Sequence, residues 1–156
     1  MKQINWNTDI GFPRIWHTKA DNMYNKSEDD IELDIYKYGG GRTVYDISHI
    51  TTQPSVLKIA INKYGKEEIS NELQQRHNIK QPFKSRLVPI IHYGNGWCVQ
   101  PKCEIPNNTR DIARQLQEQF KHFDMKDKSE IYSKNVGLYN NTPVIFDYGG
   151  IGFDLS

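Results

Sequence analysis

The 156-residue sequence predicts an α+β fold: a five-stranded antiparallel sheet with one inserted helix, then a minimal second layer of one helix and a small hairpin. Three observations carry this expectation. Short runs of apolar or alternating residues recur between turn signals over 31–60 and again over 87–103. One helical pattern interrupts those runs, and a second precedes a pair of short extended pieces joined at Asn140-Asn141-Thr142.

Residues 1–30 read as an irregular arm. Trp6, Phe12 and Trp16 sit among polar residues with neither a helical nor a strand period, and the polar stretch 18–30 has little to bury and reads as a loop. From Ile31 the pattern changes. "IELDIYKY" places Ile31, Leu33 and Ile35 on one face, and "GGG" interrupts before "RTVYDISHI" resumes extended character, which predicts a hairpin with a glycine-rich tip. "SVLKIA" (55–60) is a third strand with a lysine inside it. "GKEEISNELQQRHNI" turns helical, with Ile69 and Leu73 four apart and Glu72 on the adjacent face. "LVPIIHYG" and "WCVQPKC" read as two strands joined across Gly94-Asn95-Gly96. "PNNTRDIARQLQEQFKHF" is a helix capped at Asn108, with an apolar stripe at Ile112, Leu116, Phe120 and Phe123. The domain then spans 31–156, its sheet portion 31–104 and its second layer 105–156.

At this length one core can bury roughly two thirds of the unfolded surface. Twenty Lys and Arg nearly balance nineteen Asp and Glu, so no global field recruits nucleic acid or an anionic membrane. Lys80, Lys84 and Arg86 in "NIKQPFKSR" read as a solvated loop rather than a nucleic-acid patch. Two cysteines, Cys98 and Cys103, share one short segment without a second Cys/His pair at ligand spacing, which argues against a disulfide framework and a zinc site. No apolar run reaches membrane-spanning length and the first twenty residues lack a signal-peptide core, so a cytoplasmic protein with reduced thiols is expected.

Chemistry concentrates in a few positions. A lysine inside an apolar strand either snorkels to solvent at a sheet edge or needs an anion, in which case Lys58 calls for Glu72, with Glu68 one turn earlier as the second choice. Gly39, Gly40 and Gly41 form either a flexible hairpin tip or a turn whose main-chain N–H groups can approach phosphate oxygens without a Cβ in the way. Asn135 and Asp147 stand at the two ends of the small hairpin, where an amide oxygen and a carboxylate are the hard donors that suit Mg²⁺ against phosphates.

In this order the residues resemble a reduced protein-kinase-like fold over roughly 31–153. Lys58 in "VLKIA" is similar to the family's nucleotide-anchoring lysine, and Glu72 in "SNELQQ" to its partner glutamate. "LVPIIHYGNGWCVQPKC" resembles the strands leading into the hinge. "KNVGLYNNTPVIFDYGG" resembles the catalytic-loop asparagine, Asn135, followed by the Asp-Phe-Gly motif written here as Asp147-Tyr148-Gly149. The resemblance implies ATP and Mg²⁺ as ligands. Gly39, Gly40, Gly41, Lys58, Glu72, Gln100 and Lys102 would meet the nucleotide, and Asn135 and Asp147 the metal.

Departures from the family pattern shape the functional expectation. The catalytic aspartate's position is Glu130, with Lys128 and Ser129 in place of His and Arg, and Arg42 stands where the last glycine of the loop belongs. A glutamate can accept a proton, but its extra methylene displaces the carboxylate. After Gly149 the sequence contains no activation segment or substrate-holding helices, an arrangement resembling the compact kinase-like proteins of phages and bacteria. Two functions remain open. One is a pseudokinase that binds and regulates or inhibits another macromolecule, with a protein as the expected partner and with or without a residual Mg-nucleotide site. The alternative is a minimal ATP-dependent kinase with Glu130 as base, acting on a small molecule or itself.

Overall fold

The computed structural model describes residues 2–24, 31–121 and 131–149. The chain forms two units: a sheet unit of Asn7–Ser70 and Ile90–Lys102, and a hairpin unit of Met1–Trp6, Asn71–Pro89 and Cys103–Ser156.

The sheet unit holds a short helix α1 (Ile15–Asp21) and the strands β1 (Asp34–Tyr38), β2 (Arg42–Asp46), β3 (Ser55–Ala60), β4 (His92–Gly94) and β5 (Trp97–Pro101). The five strands are ordered β1-β2-β3-β5-β4, every neighbour antiparallel. This is the sheet the sequence predicts. β3 is its centre, and all six of its residues are buried, as a continuous apolar run requires of a strand covered on both faces. Tyr45, Leu57, Ile59, Trp97 and Val99 form the core with Ile10, Phe12 and Ala20 from the arm.

Helix α2 (Lys63–Asn78) follows β3, and its first half is grouped with the sheet unit and its second with the hairpin unit. The Asn62 side chain accepts a hydrogen bond from the Gly65 N–H at 2.9 Å, satisfying one of the donors that a helix start leaves open. The buried face of α2 runs through Gly65, Ile69, Glu72 and Gln75 at helical spacing, so half of its inward positions are polar.

The hairpin unit contains a 3₁₀ turn (Phe83–Arg86), α3 (Thr109–Gln119), β6 (Val136–Tyr139) and β7 (Thr142–Ile145). Ile112, Leu116 and Phe120 of the predicted stripe are buried together with Ile79, Leu87, Ile131, Val136, Ile145 and Tyr148. Phe123 lies outside the described residues. β6 and β7 pair through a two-residue turn in which Asn140 and Asn141 have φ of 47° and 62°, the left-handed geometry that a tight hairpin asks of its central residues. Thr142 is therefore the first residue of β7 rather than part of the turn.

Several local expectations need correction. Residues 15–21 are helical, not loop; Ala20 is the only buried residue of that helix, so its sequence carries almost no apolar stripe. Ile31 and Leu33 do pack on the sheet core, but from ahead of β1, while Ile35 is exposed beside a register shift between Ile35 and Lys37. "LVPIIHYG" is not one strand: Leu87 bridges Ile145 in parallel within the hairpin unit, and only His92–Gly94 forms β4. Pro89, lacking an N–H, breaks any ladder between the two parts. Ser85 and Arg86 are buried, so "NIKQPFKSR" is not a solvated loop throughout.

Candidate functional site

In the sheet unit, Lys58 lies opposite Val44 on one side and Cys98 on the other and is 3% exposed, so the buried cation inferred from "VLKIA" is present. Glu68, the second-choice partner, faces Arg42: their charged groups are 3.6 Å apart and Arg42 is buried.

The three glycines of the β1–β2 tip differ in surroundings. Gly39 and Gly40 are exposed, and a Cβ on Gly40 would meet nothing within 4 Å. Gly41 is buried. Its carbonyl accepts the Ile61 N–H at 2.9 Å, and a Cβ on Gly65 would come within 1.8 Å of that carbonyl oxygen. The close approach of α2 to the tip therefore demands glycine at 65 and uses Gly41 as its backbone partner. Gln100 is fully buried in β5 opposite Val56. Lys102 pairs with Asp46 at 2.7 Å and lies over the Tyr36 ring at 4.9 Å.

In the hairpin unit, Glu72 is fully buried and its Oε2 accepts a hydrogen bond from the Tyr148 N–H at 2.9 Å. The same tyrosine donates its hydroxyl to the Val88 carbonyl at 2.7 Å, and its own carbonyl lies 3.5 Å from the Gln75 side-chain nitrogen. Arg76 donates to the Leu87 carbonyl at 2.9 Å; burial lowers its pKa, with the nearby Tyr148 acting in the opposite direction. Tyr148 is thus held at its N–H, its carbonyl and its hydroxyl by α2 and the segment that follows it.

The hairpin also joins the two proposed metal donors through the backbone. The Phe146 N–H donates to the Asn135 carbonyl at 2.9 Å, one step beyond the Val136–Ile145 pair. Asp147 comes next, half-buried, while Asn135 is 8% exposed. β7 ends at Ile145, so Asp147 lies beyond the strand rather than at its last position. Among the described residues no three His, Cys, Asp or Glu side chains gather as a metal-ligand set. An amide and a single carboxylate fit the way Mg²⁺ is commonly held, with phosphate oxygens and water completing its octahedron. Glu130 lies outside the described residues.

The anchoring of Tyr148 was not read from the sequence. Its signal was the hydroxyl: a tyrosine in an apolar context needs a polar partner when buried, and the carbonyl of Val88 is that partner. The contacts that Trp6 and Arg86 make are likewise absent from the sequence reading, because bonds across such separations leave no local pattern.

No protein-family model matches the chain, and no curated protein matches its sequence. No helix among the described residues is long and apolar enough to cross a membrane.

Proposed function

We propose that this is a kinase-like protein that acts by binding and regulating another macromolecule and that retains a residual Mg-nucleotide site. The observation that carries the reading is the hydrogen bond from the Tyr148 N–H to Glu72, immediately after Asp147. A carboxylate without exposure costs desolvation, and Glu72 offsets part of that cost by fixing the backbone of the residue next to Asp147. Such an arrangement is well suited to orienting a metal-binding aspartate. By the kinase resemblance, Lys58 would meet the nucleotide, and Asn135 with Asp147 the metal. ATP bound there would supply the remaining oxygen ligands.

Two features favour binding over phosphoryl transfer. Lys128-Ser129-Glu130 replaces the family's His-Arg-Asp, and phosphoryl transfer depends on positioning. Gly41 is buried with Gly65 of α2 packed against it, so only Gly39 and Gly40 of the tip are open to a phosphate. Calorimetric titration with Mg-ATP, alongside turnover measured in wild type, Lys58→Ala and Glu130→Gln, tests the reading. Binding that Lys58→Ala weakens, with no turnover above background, is expected. Turnover abolished by both substitutions with folding intact would establish the minimal kinase instead.

A further inference from the structure

The segment Lys2–Trp6 lies against the hairpin unit although the residues that follow it belong to the sheet unit. Trp6 stacks on Tyr139 of β6 with ring centroids 4.1 Å apart, and its indole N–H donates to the Ser85 carbonyl at 2.8 Å. Ile4 and Trp6 pack on Val88, Cys103 and Val144, beside Phe146. At the other end of the segment, Arg86 Nη2 donates to the Lys2 carbonyl at 2.7 Å. Arg86 is 4% exposed, and its Nε and Nη1 are buried with no hydrogen-bond partner.

These contacts oppose one another. Covering the hairpin with an indole gains apolar burial and stacking. Burying two guanidinium nitrogens without a hydrogen-bond partner is costly, and burial correspondingly depresses the Arg86 pKa. Such opposition lowers the net stability of the seated segment.

We propose that Lys2–Trp6 is a strap in balance between seated and released states, and that its seating sets the order of the β6–β7 hairpin and hence of Asp147. The path is short. Tyr139 lies in β6 under the indole, Phe146 borders the strap's apolar contact, and Phe146 both pairs with Asn135 and directly precedes Asp147. A partner that captured the strap would therefore loosen the hairpin without touching it. The consequence for nucleotide rests on the proposed kinase-like reading, whereas the strap itself does not.

Amide hydrogen exchange on the full chain tests the strap without any ligand. Trp6→Ala should speed exchange of the β6–β7 amides by roughly tenfold or more while leaving the β2 and β3 amides unchanged. Trp6→Phe, which keeps an aromatic ring but loses the bond to Ser85, should fall between and serves if the alanine variant folds poorly. Arg86→Met should slow hairpin exchange, because it removes the unbonded charge that opposes seating; an Arg86 that served only as an anchor would give the reverse. Unchanged hairpin exchange in Trp6→Ala, equal acceleration across both units, or faster exchange in Arg86→Met would overturn the proposal. Mg-ATP titration of the same variants is read separately: affinity that follows exchange links the strap to the nucleotide site, and failure of wild type to bind Mg-ATP would overturn the nucleotide reading while the exchange comparison still decides the strap.

Discussion

Glu72 Oε2 and the Tyr148 N–H meet at 2.9 Å, so a carboxylate with no exposure accepts a main-chain donor next to Asp147. Replacing Glu72 by Leu should cost about 1–3 kcal/mol, the penalty for leaving a buried donor unsatisfied, whereas Gln, which retains an acceptor, should cost less. Urea unfolding with an unchanged m-value measures both. Equal losses in the two variants would show that the acceptor is not what Glu72 contributes.

Gly65→Ala would stabilise an ordinary helix by about 1 kcal/mol. Here the new Cβ would lie 1.8 Å from the Gly41 carbonyl oxygen, and backbone cannot swing aside as a side chain can. A net loss of about 1–3 kcal/mol is expected. Gly40→Ala, with nothing within 4 Å of its Cβ, is the control and should be near neutral. A stabilised Gly65→Ala protein would refute the close packing of tip and helix.

The sheet unit should lose stability on mild acidification. His92 in β4 faces His17 of α1 at 5.1 Å between ring centroids, with Phe12 and Trp97 around them and Asp21 of α1 bonded to the Trp97 indole at 2.7 Å. Burial, and then the His17 charge, lower the His92 pKa from its usual 6.5. Because the folded state binds its proton less readily, this contribution is complete above 6.5 and is lost as pH falls below it. His92→Phe should flatten the slope of unfolding free energy between about pH 7 and 5. A second loss belongs to Asp46: burial alone would raise its pKa, but hydrogen bonds from Lys102 and Ser48 outweigh it and hold the carboxyl at about 2. Its contribution is complete above 3.8 and is lost as pH falls from there through about 2.

Asp147→Asn should weaken Mg-dependent nucleotide affinity by tenfold or more, roughly the effect of losing an anionic metal ligand, and shift the melting temperature little. Calorimetry with and without Mg²⁺ compares the two proteins. Equal affinity in the presence of Mg²⁺ would exclude a metal role for Asp147.

What the sequence made legible were features with a local physical cause. The two-asparagine turn, the Asn-Gly hairpin between β4 and β5 and the α3 stripe all follow from periodicity or turn geometry, whereas the residues left Lys58 open between a buried cation and one that snorkels to solvent. What stayed hidden depends on distant partners. The split of "LVPIIHYG" is set by Ile145, the burial of Arg86 by contacts that include Lys2, and the special environment of Gly41 by Gly65. The polar inner face of α2 also masks its orientation, since Glu72 and Gln75 occupy positions where a helix ordinarily declares itself by apolar residues.

β3 has a consequence for synthesis. One of its hydrogen-bonded neighbours, β2, precedes it in the chain, but the other, β5, follows only after all of α2 and β4. Until that intervening stretch has left the ribosome, β3 presents Val56, Leu57 and Ile59 along an open edge whose final neighbour has not yet emerged. Lys58 in the middle of that run then acts as a gatekeeper, its charge discouraging the nascent strand from pairing with the wrong chain until Trp97–Pro101 arrives.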